Sequence, residues 1–243
     1  MRSLTRRGKS AWVGHSVVVG GVLLLVLLAV GGAATTGTSR TYVAPFKGKV
    51  FLGGSTSKFG CGSGSARITT PANVSLATGA FAWAGMARAH SCAGAAGHGV
   101  AIASGAVGLV GPTFKPKSSG YQLLYAVYNF SDKIRVIEGH SNPNTFVQAL
   151  WFLSGVVWDL NYQTEQSSNF FQMGNSTLGG TANLWYNMSA RTFTLAWSAN
   201  LTVGHTYEMV TQLDPEVYVG VYSGSDGAAS ISVAGSIVSF TVK

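Results

Sequence analysis

Residues 193–203 read FTLAWSANLTV and carry the clearest structural signal in the chain. Every second residue from Phe193 to Val203 is apolar, and the residues between them are Thr, Ala, Ser, Asn and Thr. Successive side chains of a β-strand point to opposite faces, so a period of two places one set on a core and the other toward solvent. The stretch therefore predicts a strand with one buried face.

Strand-like patterns recur along the chain on both sides of this stretch, with Gly- and Ser-rich punctuation between them. No segment after residue 34 shows a capped helical stripe. Residues 146–158 are apolar on both faces, which indicates either a buried central strand or a covering helix. A turn is predicted at Asp214-Pro215. The other predicted strands are Tyr42–Leu52, Val74–Ala87, Val100–Val110, Tyr121–Asn129, Ile134–Glu138, Ala182–Met188, Thr206–Leu213, Val217–Val221 and Ser230–Val242.

About ten short strands in two hundred residues predict an all-β fold, a two-sheet antiparallel β-sandwich that is jelly-roll-like or immunoglobulin-like. We assign residues 42–243 to this sandwich, as one domain. A division into two small sandwiches near Pro112–Gly120 is the alternative.

The first 34 residues predict how the chain meets a membrane. Residues 1–10 contain Arg2, Arg6, Arg7 and Lys9, and residues 11–34 contain no Asp, Glu, Lys or Arg. About 20 apolar residues span a bilayer core, and flanking positive charge stays in the cytoplasm. We therefore expect a cytoplasmic basic segment at 1–10, one transmembrane helix at 11–34, a linker at 35–41 and an extracytoplasmic sandwich. The helix is either a retained signal-anchor, giving a single-pass cell-membrane protein, or a cleaved signal peptide, giving a secreted one.

The charge of the chain argues against a nucleic-acid partner. The formal net charge is +8, from 16 Lys and Arg against 8 Asp and Glu, but five of the basic residues lie in the first forty. Residues 41–243 thus carry 11 basic against 8 acidic residues, or +3. Past Lys49, Lys115 with Lys117 and Lys133 with Arg135 are the only closely spaced basic pairs. Such a chain lacks the sequence signature of a nucleic-acid binder.

Cys61 and Cys92 are the two cysteines, and outside the cell they predict a disulfide. Together with His90 and His98 they also form the one metal-like set in the sequence. Thiolate with imidazole resembles a His₂Cys copper site in kind, but the spacing departs from it and no nearby Met follows; the four residues match no standard zinc finger either. We predict the disulfide and neither metal nor cofactor.

Two further groups of residues are candidates for surface roles. Asn-x-Ser/Thr sequons mark exposed positions in exported chains and make five asparagines candidates for glycosylation: Asn73, Asn129, Asn175, Asn187 and Asn200. Exposed aromatic side chains stack on sugars and anchor interfaces. Tyr186, Tyr218 and Tyr222 are the candidates for such contacts, and the tryptophans are assigned mainly to the core.

The sequence offers little for catalysis. Glycosidases use two carboxylates, and only Asp214 and Glu216 have the i, i+2 spacing that puts both on one face of a strand; Pro215 between them favours a solvated turn. His140 lies near Glu138 and His205 near Glu208, but no Gly-x-Ser-x-Gly motif supplies a nucleophile.

No motif of a known family is present. We therefore expect a non-catalytic, membrane-tethered extracytoplasmic sandwich with a binding or structural role at the cell surface. Its partners would be the membrane, through the N-terminal helix, and a surface glycan, an envelope component or another copy of itself. An exported glycoside- or peptide-directed hydrolase is the alternative, and a copper- or zinc-binding exported protein is the third.

Overall fold

Eleven antiparallel strands form two sheets in a computed structural model that describes residues 39–94, 97–139, 143–178 and 181–243. The predicted segments 1–10 and 11–34, and most of the linker, lie outside these residues. No helix long and apolar enough to cross a membrane occurs in the described part of the chain. The strands are β1 (Arg40–Val43), β2 (Lys49–Gly60), β3 (Ser63–Val74), β4 (Ala80–His90), β5 (His98–Phe114), β6 (Gly120–Glu138), β7 (Phe146–Asp159), β8 (Thr164–Leu178), β9 (Ala182–Leu201), β10 (Tyr207–Tyr222) and β11 (Asp226–Val242).

The six-stranded sheet has the order β3-β4-β11-β6-β9, with β1 beside the end of β11, and the five-stranded sheet has the order β2-β5-β10-β7-β8. All pairs are antiparallel. The described residues thus form the predicted all-β structure of two antiparallel sheets. Residues 146–158 belong to a strand, β7, which decides between the two structures predicted for them.

The quoted stretch lies at the C-terminal end of β9, and its alternation matches its burial. Leu195, Trp197, Ala199 and Leu201 are buried, and the residues between them are exposed. The strand ends at Leu201, so Val203 lies beyond it and is 51% exposed. The inward residues of both sheets form one continuous hydrophobic core, in which Trp83, Tyr128, Phe130 and Trp151 are fully buried.

Two hydrogen bonds join polar groups of side chains inside the core. Asp132 accepts a hydrogen bond from the indole N–H of Trp151 at 2.6 Å, and the hydroxyls of Tyr128 and Thr211 are 2.8 Å apart. Burial raises the pKa of Asp132, and the Trp151 N–H and a backbone N–H near Met188 partly offset this effect. These bonds connect the two sheets, because Asp132 and Tyr128 lie on β6 whereas Trp151 and Thr211 lie on β7 and β10.

The turn predicted at Asp214-Pro215 is wrong, because β10 runs without interruption from Tyr207 to Tyr222. Proline has no N–H to give to a ladder, and a proline inside a central strand is unusual. Here Pro215 pairs with Trp151 on β7. The ladder on its other side, to β5, has pairs at Leu213 and Glu216 and none at the two residues between them. The missing N–H is thus accommodated by a local gap in one ladder.

Candidate functional site

The centre of the five-stranded sheet presents polar and acidic side chains on its outer face. Val217 and Val219 on β10 point into the core, so their neighbours Gln212, Asp214 and Glu216 point outward. Asp214 lies opposite Phe152 of β7, and Glu216 lies opposite Leu150. Directly opposed residues share a face, so both carboxylates lie beside large apolar side chains of β7. We call the outward side chains of β5, β10 and β7 the acidic face.

This apolar environment changes the acidity of the two carboxyl groups. Partial burial raises the pKa of Asp214, an effect that Gln212 partly offsets by donating hydrogen bonds of 2.7 and 2.8 Å to its two oxygens. Burial also raises the pKa of Glu216. Asp214 and Glu216 are two residues apart on one strand, so their Cα atoms are separated by about 6.7 Å. Both carboxyl groups therefore have a raised pKa, and the Asp214 carboxylate is in addition held by the Gln212 amide.

Two further ionisable groups of β10 share this face. Burial raises the pKa of Glu208, and the charge of Lys49 on β2 partly offsets that effect. Burial, with smaller effects of Tyr222 and Glu216, raises the pKa of the Tyr218 hydroxyl. Glu208, which the sequence places near His205, thus interacts electrostatically with a lysine from another strand.

The six-stranded sheet carries the opposite charge on its outer face. Arg67 on β3, Arg88 on β4, and Lys133 and Arg135 on β6 are all exposed. Pairing places Met86 beside Arg67 and Ser230 beside both Met86 and Arg135, so these strands present one continuous row. We call the outward side chains of β3, β4, β11, β6 and β9 the basic face. The single described carboxylate in outward register on these strands is Asp226, the first residue of β11.

Two contacts order the cations of the basic face. The Arg135 guanidinium lies 5.5 Å from the ring centre of Trp185, whose side chain is 62% exposed. The Arg67 Nε donates to the Met86 sulphur at 2.9 Å. An arginine over an indole is attracted by the ring and loses little freedom on binding an anion. The sequence did not reveal this cluster, because its members come from three strands and only Lys133 and Arg135 are close in the chain.

His205 has a different carboxylate partner from the one that its sequence neighbours suggest. Its Nδ1 lies 2.8 Å from Oδ2 of the buried Asp159, whose other oxygen accepts the backbone N–H of Asn161 at 2.8 Å. Burial opposes ionisation of Asp159, but these hydrogen bonds outweigh it and lower its pKa. An imidazole oriented by a carboxylate can serve as the general base that activates a nucleophile. Here the pair joins the β7–β8 turn to the β9–β10 turn.

Cys61 and Cys92 form the predicted disulfide, with Cα atoms 5.6 Å apart. It joins the β2–β3 turn to the segment after β4, beside a surface cavity of about 360 Å³ that Lys58, Phe59 and Val100 help to line. Both thiols of the candidate metal set are therefore used. His90 is the exposed last residue of β4, and the His98 ring lies 6.4 Å from that of Tyr222. Within the described residues, no three His, Cys, Asp or Glu side chains form a group that could hold a metal.

The five sequon asparagines all lie on strands. Asn175 on β8 is opposite the buried Ala149 and is half-buried in inward register. The other four are exposed, on β3, β6 and β9: Asn73, Asn129, Asn187 and Asn200. Transfer of a glycan requires an accessible amide, so the geometry favours these four.

The aromatic candidates occupy different environments. Tyr218 is half-buried on the acidic face, with its ring 5.8 Å from that of Phe146. Tyr222, four residues further, is 38% exposed in the same outward register. Tyr186 packs against the hydrophobic core, and its neighbour Trp185 takes the exposed face of β9. Of the two, Trp185 is the one available for an outside contact.

No family model matches the chain, and no curated protein is similar to it. Among solved structures, the chain is similar to the crystal structure of the enzymatically active domain of tailspike protein 4 of bacteriophage CBA120, with 11% identity and a TM-score of 0.18. The match covers 76% of this chain and 19% of that one, so the chain spans about a fifth of the tailspike chain. A score this low carries no argument about fold or function.

Proposed function

We propose that this chain is a membrane-tethered or secreted jelly-roll protein with a non-catalytic binding or structural role at the cell surface. The strand order favours a jelly roll over an immunoglobulin-like sandwich. Strands β4 to β11 form two four-stranded sets, β4-β11-β6-β9 and β5-β10-β7-β8, and every connection among them except β7–β8 crosses from one sheet to the other, as in the double Greek key of a jelly roll.

One observation carries the proposed role: both broad outer faces lack a covering helix among the described residues, and they differ in character. The acidic face combines carboxylates with half-buried apolar side chains, and the basic face combines arginines with an exposed tryptophan. Exposed apolar and aromatic side chains, and arginines, are enriched at interaction surfaces. The N-terminal apolar segment and the disulfide support the extracytoplasmic location.

Protease accessibility of the full-length chain with a C-terminal epitope tests this proposal. On intact cells we expect added protease to remove the epitope, and we expect the chain to remain with washed envelopes or to appear in the medium. A matched variant without residues 1–34 should keep its epitope protected inside the cell. Protection of the full-length chain on intact cells would contradict the proposal.

A second function, an exported hydrolase acting on glycosides, is favoured by the placement of Asp214 and Glu216. They share one strand face, and burial raises the pKa of Glu216, as the general acid of a glycoside hydrolase requires, while Gln212 donates hydrogen bonds to both oxygens of the Asp214 carboxylate. Release of reducing sugar from envelope polysaccharide by the purified chain, lost in Glu216→Gln, would support this function. Equal release by both proteins would contradict it.

A further inference from the structure

We infer that copies of this sandwich stack face to face, with the acidic face of one copy on the basic face of the next. The inference rests on the proposed structural role at the surface and names its partner, a second copy of this chain.

Charge is the first argument for this partner. Strand β10 places Glu208, Asp214 and Glu216 on one side of the sandwich, where Lys49 acts on the charge of Glu208. The cations of the basic face lie on the other side. Stacked sheets are about 10 Å apart before their outer side chains are counted, so the two sets cannot pair within one copy. A second copy brings them into contact.

Shape is the second argument, because the two faces differ in relief. The middle of the basic face is low, since β11 presents Ser230, Ser232 and Ala234 and β4 presents Ala82 and Ala84. The middle of the acidic face is formed by larger side chains of β7 and β10: Leu150, Phe152, Val156 and Val210. Large side chains seated on small ones allow the backbones of two sheets to approach closely.

Area is the third argument. Strand β10 has 16 residues and therefore a length of about 50 Å, and five strands have a width of about 24 Å. The whole outer surface of the five-stranded sheet, with the acidic face at its centre, therefore buries on the order of 1,000 Å² per partner, against about 800 Å² in a standard stable interface. A nucleic acid or an anionic glycan would cover the basic face alone, whereas contacts between copies of this chain use both kinds of face.

The two faces of such a contact are different surfaces, so the contact does not close on itself. Each copy that binds leaves one acidic and one basic face free, and heterologous contacts of this kind extend into open chains. The stacked state is therefore a concentration-dependent series of oligomers and not a dimer.

Sedimentation velocity of the full-length chain in detergent tests the inference through charge reversal. The acid-reversed variant is Asp214→Lys with Glu216→Lys, and the base-reversed variant is Arg88→Glu with Arg135→Glu. We expect the wild type to form oligomers and each variant alone to weaken association about 100-fold, because like charges then oppose each other. An equimolar mixture of the two variants should associate again, since each supplies the face that the other lacks.

Controls separate this contact from association through the apolar N-terminal segment. Lys115→Glu changes an exposed charge outside both faces and should leave oligomer size unchanged. Raising salt from about 0.02 M to about 1 M should weaken wild-type association about tenfold, because screening shortens the range of the charges. Circular dichroism should show that each reversed variant retains its β structure.

A monomeric wild type at low salt, or association that neither reversal alters, would overturn the inference. Binding of an anionic polymer to the basic face without self-association would also overturn it. If the chain does not stack but its C-terminal epitope is exposed on intact cells, the inference fails and the proposed surface role stands. If the epitope is protected, the surface role is contradicted whatever the oligomeric state.

Discussion

Removal of the Cys61–Cys92 disulfide should destabilise the sandwich by an amount that the loop length determines. The cysteines are 31 residues apart, and in the chain-entropy model a loop of this length is worth about 3.7 kcal/mol at 25 °C. Replacement of both cysteines by serine should remove little packing, because Cys61 is only half-buried and Cys92 is exposed. We therefore expect the free energy of unfolding to fall by about 3–4 kcal/mol.

Urea unfolding of the purified chain measures this loss. Reduction of the wild type should reproduce the effect of the double substitution, and reduction of the substituted chain should change nothing. Ser57→Ala, an exposed substitution on the same hairpin, should cost less than about 0.5 kcal/mol. A loss below about 1.5 kcal/mol in both the substituted and the reduced chain would refute the loop-entropy reasoning.

Three further outcomes follow from the structure. Gly105→Ala should cost about 1–3 kcal/mol in urea unfolding, because the new Cβ would clash with the indole of the fully buried Trp83. A Cβ at Gly53 has its nearest neighbour at 3.7 Å, so Gly53→Ala should be close to neutral. Asp159→Asn should cost about 2 kcal/mol of unfolding free energy at neutral pH, and this cost should shrink in acid. A carboxylate whose pKa is lowered by folding stabilises the fold above its unfolded pKa. It loses that effect as the pH falls through its folded pKa. Glu216→Gln should show the opposite pH dependence. A carboxyl group whose pKa is raised by folding contributes stability that is complete below its unfolded pKa and is lost as the pH rises through its folded pKa. Thermal unfolding at each pH should therefore show the stability of the variant rising relative to that of the wild type between about pH 4 and pH 7.

The sequence allowed the strands with a clear apolar pattern to be predicted, and it missed those without one. Residues 193–201 of the alternating stretch lie on β9, and the apolar stretch 146–158 lies on β7. Most of β2, almost all of β3 and all of β8 were missed, because these strands at the sides of the sheets are rich in Ser, Thr, Gly and Asn, whose exposed side chains leave no buried stripe to recognise.

The candidate site was harder to predict for two physical reasons. Pro215 normally marks a turn, and only the gap in the β10–β5 ladder shows how a central strand accommodates it. The basic face depends on which strands become neighbours, and that register is set by long-range pairing, which a local pattern does not contain. The disulfide was predictable because compartment and cysteine count are properties of the whole chain.

The pairing of β1 with the last residues of β11 bears on how this sandwich could be rewired. Arg40 lies opposite Val242, so the entry of the chain into the sheets and its C-terminus are neighbours. A short bridge could join them, and the chain could be reopened at the Gly224 turn, at the other end of β11. Such a circular permutant keeps every strand pair while moving both ends to the opposite rim of the sheets. The position of the chain ends is therefore separable from the fold.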